Sequence, residues 1–310
     1  MSKDFCQIEW DRALEDDCRQ IVRLAVREDL DRGCDWTTVA LVDEEQRGRA
    51  SIVAREDGVI VGLRAGNVLL DEMHADIRLQ PRATDGDQVT AGSAVAQLDG
   101  SARDLLTCER PLLNMIGRLS GIATLTRKFV RHVQGAGARI YDTRKTTPGW
   151  RRLEKYAVRC GGGRNHRVGL FDAVLIKDNH LLATRSAQLE LGDAVSRVRQ
   201  FLSHQASPGT GRQAAEVLIE IEVDTLEQLR RVLPTKPDIV LLDNMTCDQL
   251  RAAVTLRNEL AVGVELEASG GVNLQTVREI AQTGVERISA GALTHSAHTL
   301  DVGLDWHTGT

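Results

Sequence analysis

From about residue 113 onward, short and almost wholly apolar runs alternate with amphipathic stretches, and this alternation limits the possible folds more than any other feature. Runs at 138–142, 173–177, 217–223, 238–242, 264–268 and 287–291 read as strands, with helices at 187–203, 225–233, 246–260 and 273–283. Apolar strands joined through helices predict a parallel sheet covered by helices. In the third run Val217, Ile219, Ile221 and Val223 are expected to point inward, with Glu220 and Glu222 on the other side. A doubly wound dinucleotide-binding sheet needs G-x-G-x-x-G directly after its first strand. Gly135-Ala136-Gly137 instead precedes a strand and lacks the third glycine, and no Walker A sequence occurs. Chemistry-bearing residues fall at the carboxyl ends of many strands: Asp142 to Lys145, Lys177, Glu222, Asp243, Glu267 to Gly271, and Ser289 to Ala292. That distribution is the habit of an α/β barrel. Six βα units, not eight, predict a short one.

The first third has a different character. Residues 9–30 carry Leu14, Cys18, Ile21, Val22, Ala25 and Val26 at helical spacing. Strands are expected at 50–54, 58–62 and 94–98, a helix at 65–73, and turns at Asp57-Gly58 and Asp85-Gly86-Asp87. These make a small α+β unit. Its 49–99 strands superficially suit a lipoyl-type carrier, but the stretch contains no lysine to modify.

Charge and composition exclude several function classes. Lys+Arg 39 against Asp+Glu 44 leaves a formal charge of −5, so no global field recommends nucleic acid or an anionic membrane. No apolar run approaches the roughly 20 residues of a membrane span, and the opening residues lack a signal-peptide pattern. Six scattered cysteines form no C-x-x-C, which fits reduced thiols in a cytoplasmic protein.

The window 139–167 holds nine basic residues (Arg139, Arg144, Lys145, Arg151, Arg152, Lys155, Arg159, Arg164, Arg167) against Asp142 and Glu154. Beside Gly161-Gly162-Gly163, such a concentration suits an anion site, because Arg forks match carboxylate or phosphate oxygens in pairs. A solvated helix face is the competing account for Arg152, Lys155 and Arg159. It does not extend to Arg144, Lys145, His166 and Arg167, which flank expected turns. Lys177 closes an apolar strand and suits anion binding or a Schiff base. Glu222, Asp243 and Glu267 end successive strands and would converge on one mouth, although Asp243 also suits the N-cap of 246–260. Ser269-Gly270-Gly271 and Ala290-Gly291-Ala292 follow the last two strands, where barrels often place a phosphate cradle. His295-x-x-His298 lacks a third ligand and reads as a solvated turn. These residues describe a barrel enzyme for a phosphorylated, hydroxylated polyanion held with Mg2+.

Several motifs are more specific. Tyr141-Asp142-Thr143-Arg144-Lys145-Thr146-Thr147-Pro148-Gly149, Gly161-Gly162-Gly163-Arg164-Asn165-His166-Arg167, Leu175-Ile176-Lys177-Asp178-Asn179-His180, Leu242-Asp243-Asn244 and Glu267-Ala268-Ser269-Gly270-Gly271 together resemble the quinolinate phosphoribosyltransferase family. The resemblance implies a type II phosphoribosyltransferase fold. It has an N-terminal α/β sandwich over 1–112, to which 296–310 return, and a TIM-like barrel of about six strands over 113–295. It implies transfer of phosphoribosyl from phosphoribosyl pyrophosphate to quinolinate with decarboxylation, giving nicotinate mononucleotide, pyrophosphate and CO2 for NAD synthesis. Quinolinate is assigned to Arg110, Arg144, His166, Arg167 and Lys177, with Arg110 reaching a neighbouring subunit's site in a homodimer or larger assembly. Catalysis is assigned to Lys145, Lys177, Glu222 and Asp243, the two carboxylates also holding Mg2+. The substrate set further includes Thr143, Arg151, Ser269, Gly270, Gly271, Ala290, Gly291 and Ala292. Cys34 stands where the family usually has glycine before Asp35-Trp36-Thr37, and 205–213 reads as a lengthened loop. A related paralogue with another acceptor is the alternative, with a Lys177 Schiff-base lyase behind it.

Overall fold

The structure, a computed structural model, describes residues 4–183, 191–204 and 216–307. Along the chain run α1 (Arg12–Leu30), α2 (Trp36–Leu41), β1 (Arg47–Ala54), β2 (Gly58–Val59), α3 (Leu63–Glu72), β3 (Ile77–Pro81), β4 (Gln88–Val89), β5 (Ala94–Ser101) and α4 (Ala102–His132). There follow β6 (Arg139–Tyr141), α5 (Arg151–Cys160), β7 (Val174–Ile176), α6 (Asp178–Ala183), α7 (Leu191–His204), β8 (Ile219–Val223) and α8 (Leu226–Val232). The last elements are β9 (Ile239–Asp243), α9 (Cys247–Leu260), β10 (Glu265–Ser269), α10 (Val277–Ala281), β11 (Arg287–Ser289), α11 (Ala292–His295) and β12 (Val302–Trp306). The expected loop Gln205–Gln213 lies outside the described residues.

Contacts divide the chain into two interleaved units. One comprises the described residues of Met1–Gln7, Lys128–Lys145 and Arg164–Ala292; the other comprises those of Ile8–Arg127, Thr146–Gly163 and Leu293–Thr310. This grouping differs from a division near residue 112, and α4 runs unbroken across that position with Pro111 inside it.

In the unit that contains β1, four strands pair antiparallel in the order β12-β1-β5-β3, and β2 pairs with β4 alone. The expected strand 58–62 is reduced to Gly58–Val59. Asp11 caps α1 by accepting from the Leu14 N–H, and Leu14, Cys18, Ile21 and Val22 form the buried stripe that the helical spacing foretold. Asp35 caps α2 in the same way, so Cys34 immediately precedes a helix cap. On α4, Gly117 accepts from the Leu300 N–H at 3.0 Å, and a Cβ on Gly121 would lie 1.9 Å from the His298 carbonyl oxygen. Two small residues one turn apart thus let the 298–300 backbone lie against the helix before β12 pairs with β1.

The other unit is a six-stranded parallel sheet, order β6-β11-β10-β9-β8-β7, with β6 and β7 at its hydrogen-bonded edges. Register places Glu222, Leu241 and Glu267 at one level, and Asp243 beside Ser269 one step on. Ion pairs among Arg139, Glu265, Glu267 and Arg287 establish that the charged members of the alternation share the sheet's inner face. Ile219, Ile221, Val223, Val240, Leu242, Leu266 and Ile288 form the buried alternate set beneath the helices. The expectation for the third strand is therefore reversed: its carboxylates, and not its aliphatic residues, point inward. Among the described residues no helix is long and apolar enough to cross a membrane.

Candidate active site

The parallel sheet's carboxyl ends gather most of the residues that the sequence marks as chemical. Thr143, Arg144 and Lys145 follow β6, Lys177 follows β7, Glu222 lies on β8, Asp243 closes β9, Ser269 closes β10, and Ala290 follows β11. Arg110, exposed on α4, and Arg151, which opens α5 and donates from Nε to Thr146 Oγ1 at 3.0 Å, belong to the other unit.

The segment after the triple glycine is bound to the end of β6. The Arg164 N–H donates to the Ile140 carbonyl at 2.8 Å, and the Asp142 N–H to the Arg164 carbonyl at 3.0 Å. Asp142, wholly buried, accepts from the His166 N–H at 2.8 Å and from Asn165 Nδ2 at 2.7 Å. Its position at the strand end was visible in the sequence, but its task of holding the next loop was not. The backbone path delivers Arg167 into the interior. It is 6% exposed, its Nη1 donates to the Ala173 carbonyl at 3.1 Å, and its Nε has no hydrogen-bond partner. Burial, and then the neighbouring Arg144 cation, push its pKa down. A buried guanidinium with donors to spare, pressed by a second cation, is built to take an anion.

His166 has both ring nitrogens engaged by the chain. Nδ1 accepts from the Arg167 N–H at 2.8 Å, which leaves the proton on Nε2. Nε2 faces Glu220 Oε2 at 2.9 Å and Glu267 Oε1 at 3.5 Å. These three groups bring their ligand atoms within 4.8 Å, the spacing of a metal site. In this tautomer the imidazole offers no lone pair to an ion, and Arg287 supplies the opposing charge to Glu267. Both carboxyls are wholly buried, and desolvation pushes their pKa values up, that of Glu220 to about 7. Arg287 pairs with Glu267 and Glu265, each at 2.9 Å. Glu267 therefore belongs to the interior and not to the mouth where the sequence placed it.

Lys177 Nζ donates to Glu222 Oε2. That ion pair engages the Lys177 amine that Schiff-base chemistry would need free. Glu222 and Asp243 are also relieved of capping duty. Thr225 caps α8 and Thr246 caps α9, each completed by a glutamine three residues on. The expectation that Asp243 caps the helix after it is thereby corrected. Its Oδ2 accepts from Asn244 Nδ2 at 2.7 Å.

After β10, Gly270 and Gly271 both have positive φ, +93° and +60°. A Cβ on Gly270 would lie 2.2 Å from Asn244 Oδ1, so glycine is required there for conformation and for space. The Asn244 N–H donates to the Ser269 carbonyl at 2.9 Å, and the Ala290 N–H to the Tyr141 carbonyl at 2.9 Å. In the other unit, Arg152 pairs with Asp11 and Asp17, while Lys155 is wholly buried. The solvated-face account therefore fails for Lys155. His295 and His298 are exposed, as a solvated turn requires.

Comparison with known proteins adds an independent line. The family model "Quinolinate phosphoribosyl transferase, C-terminal domain" matches residues 122–305, and its N-terminal counterpart matches 35–120. The carboxylating nicotinate-nucleotide pyrophosphorylase of Mycobacterium leprae (strain TN) is 44% identical over 292 residues, covering 94% of this chain and 97% of that protein. A probable carboxylating nicotinate-nucleotide pyrophosphorylase of Bacillus subtilis (strain 168) is 41% identical, covering 90% and 89%. The solved nicotinate-nucleotide pyrophosphorylase of Francisella tularensis superposes with a TM-score of 0.86 at 34% identity, over 98% of this chain and 100% of that one.

Proposed function

The chain belongs to the quinolinate phosphoribosyltransferase family, and on that premise we infer that it joins quinolinate to phosphoribosyl pyrophosphate, releasing pyrophosphate and CO2 to give nicotinate mononucleotide for NAD synthesis. The observation that carries the substrate assignment is Arg167, buried and with an unpartnered Nε beside Arg144. A vicinal dicarboxylate supplies paired oxygens that accept the N–H groups of two such guanidinium groups. Arg110, exposed on α4, is assigned to the site of a second copy, and His166, which orients Arg167, and Lys177 complete the quinolinate set.

Lys177 and Lys145 are assigned to the departing pyrophosphate and the charge that develops as it leaves, with Thr143 and Arg151 also in the substrate set. Loss of pyrophosphate leaves positive charge on the ribose ring, so fixed carboxylates matter more than a proton-transfer base. Glu222 and Asp243 supply that field and the acceptors for ribose hydroxyls. Their hard oxygens end adjacent strands, neither is consumed as a cap, and Glu222 already accommodates the Lys177 ammonium. This donor set fits Mg2+: Glu222 and Asp243 would hold it, and the ion would supply charge neutralisation for the substrate phosphates. Ser269, Gly270 and Gly271, with Ala290, Gly291 and Ala292, are assigned to the 5′-phosphate. Once the pyridine nitrogen is quaternised it stabilises the carbanion left by CO2, a step that needs positioning more than a dedicated catalyst. Six free cysteines, none in a disulfide, suit the cytoplasm as its compartment.

The test is CO2 release from carboxyl-labelled quinolinate by the purified chain, with phosphoribosyl pyrophosphate and Mg2+ and with nicotinate as control acceptor. Release that requires both substrates is the expected result. No release from folded protein, or product from nicotinate instead, would overturn the assignment and favour a paralogue with another acceptor.

A further inference from the structure

We propose that the N-terminal segment Asp4–Gln7 is a strap that positions the Arg164–Arg167 segment, with Phe5 stacked on His166 as its central contact. The proposal rests on the assignment of Arg167 to quinolinate. The family models begin at residue 35, so the strap lies outside the stretch they match.

Each residue of the strap with a long side chain holds a different residue of the segment. Asp4 accepts from Arg164 Nη1 at 2.7 Å, from Tyr141 Oη at 3.1 Å and from Arg287 Nη2 at 3.2 Å. Gln7 grips Asn165 by two bonds: its Nε2 donates to the Asn165 carbonyl at 3.1 Å, and its Oε1 accepts from the Asn165 N–H at 2.9 Å. Between them Phe5, 3% exposed, stacks on the His166 ring with centroids 4.2 Å apart and planes 30° apart. Its edge meets Tyr141, and the Arg287 guanidinium lies 4.9 Å from its centroid. Two of these contacts are specific in geometry, the paired amide bonds and the stacked ring, and together they fix where the His166 ring lies.

The position of that ring matters for Arg167, the next residue in the chain. His166 Nδ1 accepts from the Arg167 N–H, and the segment's ladder to β6 is a single bridge at Arg164. Past the bridge, Asp142 holds the His166 N–H and the His166 ring accepts from the Arg167 N–H; Phe5 stacks on one face of that ring, and its Nε2 lies 2.9 Å from Glu220 Oε2. A guanidinium that must meet a carboxylate in paired geometry loses affinity steeply with displacements of about an ångström. Phe5 and Gln7 are therefore positioning residues, acting through His166 and Asn165.

The experiment compares Phe5→Ala and Gln7→Ala with the parent chain in steady-state kinetics and by 15N NMR of histidine-labelled protein, assigning His166 from its loss in His166→Asn. Each variant is expected to raise the KM for quinolinate by roughly tenfold or more while the KM for phosphoribosyl pyrophosphate stays within about twofold. The His166 ring signals are expected to shift in both. A lowered unfolding temperature with both KM values unchanged, or equal rises in the two, would reduce the strap to a structural element and overturn the proposal. Gln7→Ala removes three hydrogen bonds, two to Asn165 and one to the Phe5 carbonyl, from a partly exposed side chain, so it keeps the test alive if Phe5→Ala does not fold. Should the parent chain release no CO2 from quinolinate, the assignment of function falls, and the His166 signals still decide the strap: unchanged in both variants, they overturn it.

Discussion

Arg287 is wholly buried, yet it spreads its donors over Glu267, Glu265 and Asp4 and lies 3.8 Å from the Tyr141 ring centroid. A buried cation among carboxylates is tolerated because every charge has a partner, and removing one partner is costly. Arg287→Met is expected to lower stability by about 3–5 kcal/mol in denaturant unfolding, because Glu267 would be left buried with no opposing charge. Glu220 makes the complementary case. Burial pushes its carboxyl to about 7 from an ordinary 4.5, so between those values the folded chain keeps a proton that the unfolded chain has released. Stability then falls as pH rises through that window and levels off above it. Glu220→Gln stays neutral throughout, and its urea midpoint is expected to vary less between pH 5 and 8. A residual slope remains, because Glu267 is shifted in the same direction.

At the scale of elements, the parallel strands were legible because near-continuous apolar runs have few other uses. Their facing was not. Alternation of Ile with Glu in β8 normally means aliphatic in and charged out, but a small barrel under helices buries both faces, and the outer one is the greasier. The charged interior became evident only when Arg287, Glu267 and His166 met across strands. The long α4 was hidden by Pro111 and by two glycines that read as breakers but serve close approach. The strap was invisible, since four irregular residues carry no period. The site was more legible, because its residues sit at strand ends in motifs of fixed order. What sequence could not settle was whether Asp243 capped a helix or faced the ligand. Thr246 and Gln249 perform the capping, and this separates two outcomes. Thr246→Ala is expected to cost about 1 kcal/mol of stability with turnover per folded molecule retained. Asp243→Asn is expected to leave the unfolding free energy within about 0.5 kcal/mol and to lower kcat by about a hundredfold or more. Unfolding and single-turnover measurements on both variants check the pair.

At the scale of the whole molecule, the assignment of Arg110 to a second copy's site is open to a direct test. Arg144, Arg167 and Lys177 belong to the unit of the parallel sheet, whereas Arg110 is exposed on α4 of the other unit. That other unit also leaves Trp36 78% and Leu41 79% exposed on α2, apolar surface of the kind a second copy covers. If Arg110 serves a neighbour, two inactive variants should repair each other. Arg110→Ala removes the residue a subunit donates, and Lys177→Ala removes one it keeps. A mixed dimer then holds one site with both residues intact and one with neither. Random exchange makes half of all dimers mixed, so equal mixing is expected to restore about a quarter of parental activity. An arginine acting within its own chain would give no recovery at all. Measuring CO2 release before and after mixing, with subunit exchange followed by native mass spectrometry, separates the two arrangements, because exchange without recovery would place Arg110 outside the shared site.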